Sequence, residues 1–254
     1  MNKEKYISRI GLDEKNLTAD LETLKLLQRH HLLHVPFENL DIHWKRPIVL
    51  DNEKFYEKIV GMRRGGFCYE LNGLFNELVR EIGFTTMLVS ACVANGTGGF
   101  GPEYDHAAII VKIDEAEYLS DVGFGAFTVE PLRFVLDEEQ RDEAGIFVIR
   151  QFGAGYFEVA KKDGKGWMSE YIFKKCARDL SEFTRMCDFQ QYSADSHFTK
   201  GKVCSLLTVN GRKTLTDKNF IVTTNGEKTE TPISTKEEFD RILMREFNIV
   251  RLQL

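Results

Sequence analysis

The stretch between Gly65-Gly66 and Gly83 constrains the fold more than any other. Leu71, Leu74, Phe75, Leu78, Val79 and Ile82 fall at i, i+3, i+4, i+7, i+8 and i+11, a single stripe along an amphipathic helix. Gly83 ends that helix, and Cys68 stands in its first turn after a two-glycine approach. Directly afterwards the period changes. Thr85 to Val93, His106 to Ile113, Glu117 to Val122 and Gly145 to Arg150 are β-branched runs broken by glycine, which reads as sheet, with closure into a barrel as the expectation.

On either side the pattern is less regular. Leu21, Leu24, Leu27, Leu32 and Leu33 recur at helical spacing behind the candidate caps Thr18 and Asp20, and Pro36 closes that stretch. Phe55, Ile59 and Val60 suggest a short helix over 51–60. Two hairpins are expected further on. Asp163-Gly164 would join Tyr156–Ala160 to Trp167–Ile172, and Asn210-Gly211 would join Leu206–Val209 to Lys213–Leu215. Ser234 to Glu237 resembles a capping box that opens a last helix with Phe239, Ile242, Leu243 and Phe247 inward. The result is an α+β chain with expected divisions at 1–85, 86–200 and 201–254.

Charge and cysteine content then narrow the function. Lys plus Arg number 34 against 39 Asp plus Glu, a net charge of −5, which gives no overall attraction to nucleic acid or anionic lipid. The first residues carry no apolar run behind their charges, and no stretch approaches the length of a membrane span, so a cytoplasmic, unanchored protein is expected. The five cysteines, at 68, 92, 176, 187 and 204, are odd in number and lack Cys-x-x-Cys spacing. They read as free thiols, with neither a disulfide framework nor a zinc site.

Of these thiols Cys68 is the candidate nucleophile, because the positive end of a helix and its unpaired N–H groups favour thiolate. Plain burial is the competing reading. A base is sought in Asp105-His-Ala-Ala-Ile-Ile-Val-Lys-Ile113, where His106 opens an otherwise apolar strand. If Asp114-Glu115 form a two-residue hairpin loop, Asp121 falls opposite Ala108 and shares a face with His106, within reach of a carboxylate–imidazole bond. A three-residue loop would send the two to opposite faces.

Arg63-Arg-Gly-Gly-Phe-Cys-Tyr-Glu-Leu-Asn72, preceded by Val35-Pro-Phe-Glu-Asn-Leu40 and followed by His106 and Ser120-Asp-Val-Gly-Phe-Gly125, resembles the arylamine N-acetyltransferase family. The likeness is dense over residues ~30–125 and weak at Ser196-His-Phe198. It implies a helical first domain, a β-barrel second domain and an α/β C-terminal lid on a cysteine-protease-like core. It further implies a triad of Cys68, His106 and Asp121, and an Arg64–Glu38 ion pair beneath the site.

The implied reaction is acetyl transfer from acetyl-CoA to an arylamine or arylhydrazine, by a ping-pong route through acetyl-Cys68. Phe37, Phe67 and Phe124 are the expected substrate wall, with Phe127 near them in sequence. Gly98, Gly99 and Gly125 are the expected coenzyme contacts, and Lys161, Lys162, Arg212 and Lys213 are further candidates for phosphates. Oxyanion donors are sought around Phe67–Tyr69 or near Gly125. No metal, membrane or nucleic-acid partner is expected, and monomer and homodimer both stay open. The rival readings are a cysteine protease or transglutaminase-type transferase on the same triad, and a non-catalytic module with an unreactive thiol.

Overall fold

A computed structural model describes residues 1–13 and 16–251. Its first third is helical: α1 (Lys3–Arg9), α2 (Leu21–His34), α3 (Leu40–His43), α4 (Asn52–Tyr56) and α5 (Cys68–Ile82), with the short strand β1 (Phe37–Glu38) between α2 and α3. Asp20 caps α2, its side chain accepting from Thr23 N–H. The helix expected over 51–60 is α4 followed by a π-helical turn at Glu57–Gly61, which turns Lys58 inward. α5 buries the whole stripe from Leu71 to Val79, each such Leu or Phe contributing about 1.5–3 kcal/mol. It stops at Gly83, whose φ of 114° only glycine adopts readily.

The middle of the chain is an eight-stranded antiparallel sheet curled into a nearly closed barrel. Its strands are β2 (Thr85–Val93), β3 (His106–Ile113), β4 (Ala116–Ser120), β5 (Leu132–Arg133), β6 (Gln140–Asp142), β7 (Gly145–Phe152), β8 (Tyr156–Asp163) and β9 (Gly166–Phe173), in the order β5-β4-β3-β2-β9-β8-β7-β6. The two edge strands meet through a side chain: Gln140 accepts from Arg133 N–H at 2.8 Å and donates to Arg133 C=O at 2.8 Å. Alternation along β3 sends Ala108 and Ile110 into the barrel with Phe147, Tyr171 and Phe173. Ala107, Ile109 and Val111 go outward onto α5 and the helical core.

After β9 the chain returns to the helices. A 3-10 turn (Leu180–Phe183) and α6 (Thr184–Tyr192) insert Phe183 and Cys187 into the first core, so the barrel occupies 86–200 only as far as Phe173. The last segment is a sheet of β10 (Val203–Thr208), β11 (Gly211–Thr216), β12 (Asn219–Thr224) and β13 (Glu227–Pro232), closed by α7 (Lys236–Phe247). β1 pairs with β10 and gives this sheet its first strand. Leu40 and Trp44 join Cys204, Leu215, Phe239 and Leu243 in its core.

Two hairpin turns and one helix cap sit one residue from their expected places. β10 and β11 pair as far as Thr208↔Gly211, so Val209-Asn210 make the turn. Gly211 is instead required because a Cβ there would strike Thr223 C=O. β8 and β9 pair to Asp163↔Gly166, and the Asp163 carboxylate accepts from Lys165 and Gly166 N–H at 2.7 and 3.0 Å. The cap of α7 is Thr235, accepting from Glu238 N–H, while Glu238 accepts from Ser234 N–H. No helix among the described residues is long and apolar enough to cross a membrane.

Candidate active site

Cys68 is the first residue of α5, and Glu70 fastens the helix start by accepting from Phe67 N–H at 3.1 Å. Glu70 itself is gripped by Lys58 at 2.9 Å through both oxygens. Lys58 also pairs with Asp41 at 2.8 Å. Arg64 joins Glu38 at 2.5 and 2.9 Å and Asp41 at 3.0 Å. The Arg64–Glu38 pair implied by resemblance is therefore one edge of a five-membered buried cluster. Lys58, Asp41 and Glu70 went unnoticed because charged residues in a sequence look solvated until their partners are known.

The cluster's charges divide unequally. Burial works against ionisation of Asp41, but Lys58 and Arg64 outweigh it and hold the carboxyl below its ordinary range. Burial also works against the Lys58 ammonium, and Glu38, Glu70 and Asp41 outweigh it and push Lys58 up. Burial raises Glu70, which Lys58 offsets only in part. Glu70 is therefore held up where Asp41, between two cations, is held down.

His106 opens β3 at the barrel mouth. The pair Ile113↔Ala116 fixes a two-residue connection, so Ile109 faces Ser120 and Asp121 follows just past the ladder, on the His106 side. His106 Nε2 lies 2.7 Å from Asp121 Oδ2. Asp121 is saturated with donors: Asn72 Nδ2 at 2.8 Å, Gly123 N–H at 2.9 Å and Tyr171 O–H at 3.2 Å. The imidazole Nδ1 makes no hydrogen bond to a described residue, which leaves it for a reacting proton.

Asn72 is the bridge. It lies one turn after Cys68 on the same helix, donates to Ala107 C=O at 2.6 Å beside His106, and accepts from Val122 N–H at 2.9 Å. Its spacing of four from Cys68 was a usable signal in the sequence. Gly123 completes the approach: a Cβ there would stand 2.9 Å from the Cys68 Cα and 2.7 Å from Asn72 Nδ2. Tyr171, on β9 and remote in sequence, offered no such signal.

Cys68, His106 and Asp121 are 4%, 2% and 1% exposed, so the site is nearly dry. Burial pushes the Cys68 thiol well up, Asp105, Cys187 and Asp121 add to that, and the Tyr69 N–H at the helix start pulls the other way. A lone thiolate is thus disfavoured, contrary to what the helix terminus alone suggests. A thiolate here needs a base to take its proton, and His106 lines the same cavity.

Cys68 and His106 open onto one cavity of about 480 Å³, walled by Phe37, Phe124, His197 and Phe198. The Phe124 ring stands edge-on to His106 at 5.1 Å. Asp105 also borders it, its carboxyl raised by burial and bonded to Gln190 at 2.6 Å. Phe67 does not line this cavity. It is fully buried and packs edge-on against Tyr69 and Phe198, and Phe127 likewise belongs to the barrel core.

The glycines separate. Gly98 and Gly99 stand on the exposed 94–101 turn, where Gly99 N–H already donates to Asn95 Oδ1 at 3.0 Å. Gly125, with φ 94°, has open space on its side-chain side. Among the described residues no group of three His, Cys, Asp or Glu is arranged to hold a metal ion.

A family model described as N-acetyltransferase matches residues 20–253. Over 98% of its length the chain is 31% identical to a pineal-gland arylamine N-acetyltransferase of Gallus gallus, covering 94% of that protein. It is 32% identical to an arylamine N-acetyltransferase of Escherichia coli, over 89% of this chain and 80% of the other. Among solved structures, the arylamine N-acetyltransferase of Salmonella typhimurium superposes with a TM-score of 0.92 at 26% identity, covering 97% of this chain and 90% of that one. An enzyme of Bacillus cereus described as having a Cys-His-Glu triad superposes at 0.91 and 27% identity, covering 99% and 100%.

Proposed function

The chain belongs to the arylamine N-acetyltransferase family, and from that premise we propose that it moves acetyl from acetyl-CoA to the nitrogen of an arylamine or arylhydrazine, by a ping-pong route through acetyl-Cys68. The observation that carries this reading is the 2.7 Å His106–Asp121 bond, with Cys68 on the same cavity. Acetyl-CoA is a co-substrate, entering the first half-reaction with its acetyl group and leaving it as CoA.

His106 Nδ1, on the same cavity as Cys68 and without another partner among the described residues, takes the Cys68 proton as the sulfur attacks the acetyl carbonyl, so the negative charge on sulfur forms opposite an imidazolium and not alone in the dry cavity. Asp121 holds the ring tautomer and stabilises imidazolium. The tetrahedral intermediate collapses, coenzyme sulfur leaves, and the His106 proton goes to it. The amine nitrogen then attacks acetyl-Cys68 and gives its proton to neutral His106. Expulsion of the sulfur, which recovers a proton from the imidazole, restores the starting enzyme. With Asp121 as its carboxylate, the proposed triad differs in that member from the Cys-His-Glu triad described for the Bacillus cereus enzyme.

Phe37 and Phe124 form the apolar wall that keeps water from the thioester. Phe67 supports this wall from behind. Gly125 is retained as a coenzyme contact. Gly98, on the exposed turn, keeps its N–H for the coenzyme, whereas the N–H of its neighbour Gly99 is spent on Asn95. The C-terminal sheet acts as the lid, since Val203 at its edge borders the cavity. A nucleophile on a helix start facing a base and carboxylate on a barrel mouth is the sense in which the core is cysteine-protease-like.

The test is mass spectrometry after incubation with acetyl-CoA and no amine. One acetyl group on Cys68, absent in Cys68→Ser and discharged by an added arylamine, is expected. No acetyl on Cys68, or labelling by glutamine-containing peptides instead, would remove this reading in favour of the protease-type alternative.

A further inference from the structure

A second cleft, of about 620 Å³, lies between the barrel and the C-terminal sheet, and Arg212 faces it. β10 connects it to the catalytic cavity. Side chains alternate along the strand, so Val203, Ser205 and Leu207 share one face. Arg212 and Thr214, their partners across the ladder, are on that face too, while Cys204 and Leu215 point to α7 on the other. Val203 borders the catalytic cavity, and Leu207 borders the cleft. The loop that carries Gly123 and Phe124 to one cavity carries Ala126 and Phe127 to the other.

Arg212 differs from Lys58 and Arg64, and from Arg9, which is buried without a carboxylate but bonded through Nε, Nη1 and Nη2 to backbone carbonyls. Lys58 meets three carboxylates and Arg64 two, whereas half-buried Arg212 forms no ion pair with a described residue. Its guanidinium spends Nη1 on the neutral Ser205 hydroxyl at 3.2 Å, which leaves the Nε–Nη2 edge for a planar acid. Burial alone lowers its pKa, with no carboxylate to compensate. The contact with Ser205 sets the guanidinium two residues, about 7 Å, along the strand from Val203. Lys161 enters the cleft from the barrel side, and Glu143 there is already held by Arg29 at 2.7 Å. Leu207 and exposed Val209 give it an apolar lip.

We infer that Arg212 is an anion-recognition residue for an acidic group carried by a bound substrate, with Lys161 as its second cation. The inference rests on the acetyltransferase reading for the identity of the substrates, and two of them can bring such a group: an aromatic acceptor bearing a carboxylate, or the acyl donor through its phosphates. A desolvated guanidinium with an open fork gains most from a bidentate acid.

The experiment compares the parent protein with Arg212→Gln and Arg212→Lys in four assays, crossing acetyl-CoA or para-nitrophenyl acetate with para-aminobenzoate or para-anisidine. If the acceptor supplies the acid, Arg212→Gln lowers the preference for para-aminobenzoate over para-anisidine by about 10-fold or more with either donor. If the donor supplies it, the preference for acetyl-CoA over para-nitrophenyl acetate falls by that much instead. Arg212→Lys, which keeps charge but loses the fork, falls between. Both preferences unchanged in Arg212→Gln would overturn the inference. Calorimetric binding of para-aminobenzoate and of acetyl-CoA to the same variants reads the site without turnover. A protein that binds them through Arg212 yet never acetylates Cys68 would therefore sink the proposed reaction and spare this one.

Discussion

Two buried histidines, one in the helical core and one at the barrel mouth, show what the site adds to burial. His31 is fully buried, with Nδ1 3.0 Å from the Tyr6 hydroxyl and its ring edge-on to Phe75 at 5.3 Å. Nothing there favours charge. Burial, reinforced by Arg9 and His34, pushes it down to about 3, which makes it a neutral packing residue. His106 is nearly as buried, but Asp121 stands 2.7 Å from it and three donors fix that carboxylate in place. A dry imidazole becomes usable as a base only where a carboxylate is built in beside it.

The contrast can be broken most severely at Asp121. Asp121→Asn should lower kcat by about 10³–10⁴-fold by removing the partner of imidazolium, with amine KM little changed; steady-state kinetics read both. Next is the cluster under α5. Lys58→Met leaves Glu70 and Asp41 short of their cation and should cost about 3–5 kcal/mol in urea unfolding, with activity declining as the helix start loosens. Asn72→Leu should lower kcat by about 10–100-fold at nearly unchanged KM, because Asp121 keeps its charge but loses one of its donors. An unchanged kcat would show that Tyr171 and Gly123 suffice.

The other side of the contrast is sharpened at His31. The folded-state pKa of His31 lies below its unfolded value of 6.5, so the unfolded chain binds a proton that the folded chain refuses. Its contribution to stability is present above pH 6.5 and is lost as pH falls toward about 3, by about 1.4 kcal/mol per pH unit. His31→Asn should flatten the acid limb of the stability curve by that slope. Unfolding midpoints measured across this range in both proteins check it.

Legibility in the sequence followed how local each determinant is. The α5 stripe, Gly83 and the β3–β4 register were readable because period and turn length fix them within a few residues. The turn at Val209-Asn210 was misplaced because Gly211 answers to Thr223 on the next strand, a contact the turn itself does not reveal. The return of Phe183 and Cys187 to the first core carries no local mark. At the site, Cys68, His106 and Asp121 were singled out through helix position, strand register and resemblance, and the fold brings them to one place. Lys58, Asp41, Glu70 and Tyr171 were missed, since only tertiary pairing gives a charge or a phenol a reason to be buried there.

The central claim is that the Cys68 sulfur ionises only by handing its proton to a histidine that Asp121 has prepared. The pH dependence of Cys68 alkylation by iodoacetamide, followed by mass spectrometry in the parent and in Asp121→Asn, tests it directly. In the parent, reaction should persist well below the ordinary thiol pKa, and in the variant it should begin only above that value, as burial dictates. Superimposable profiles would contradict the account.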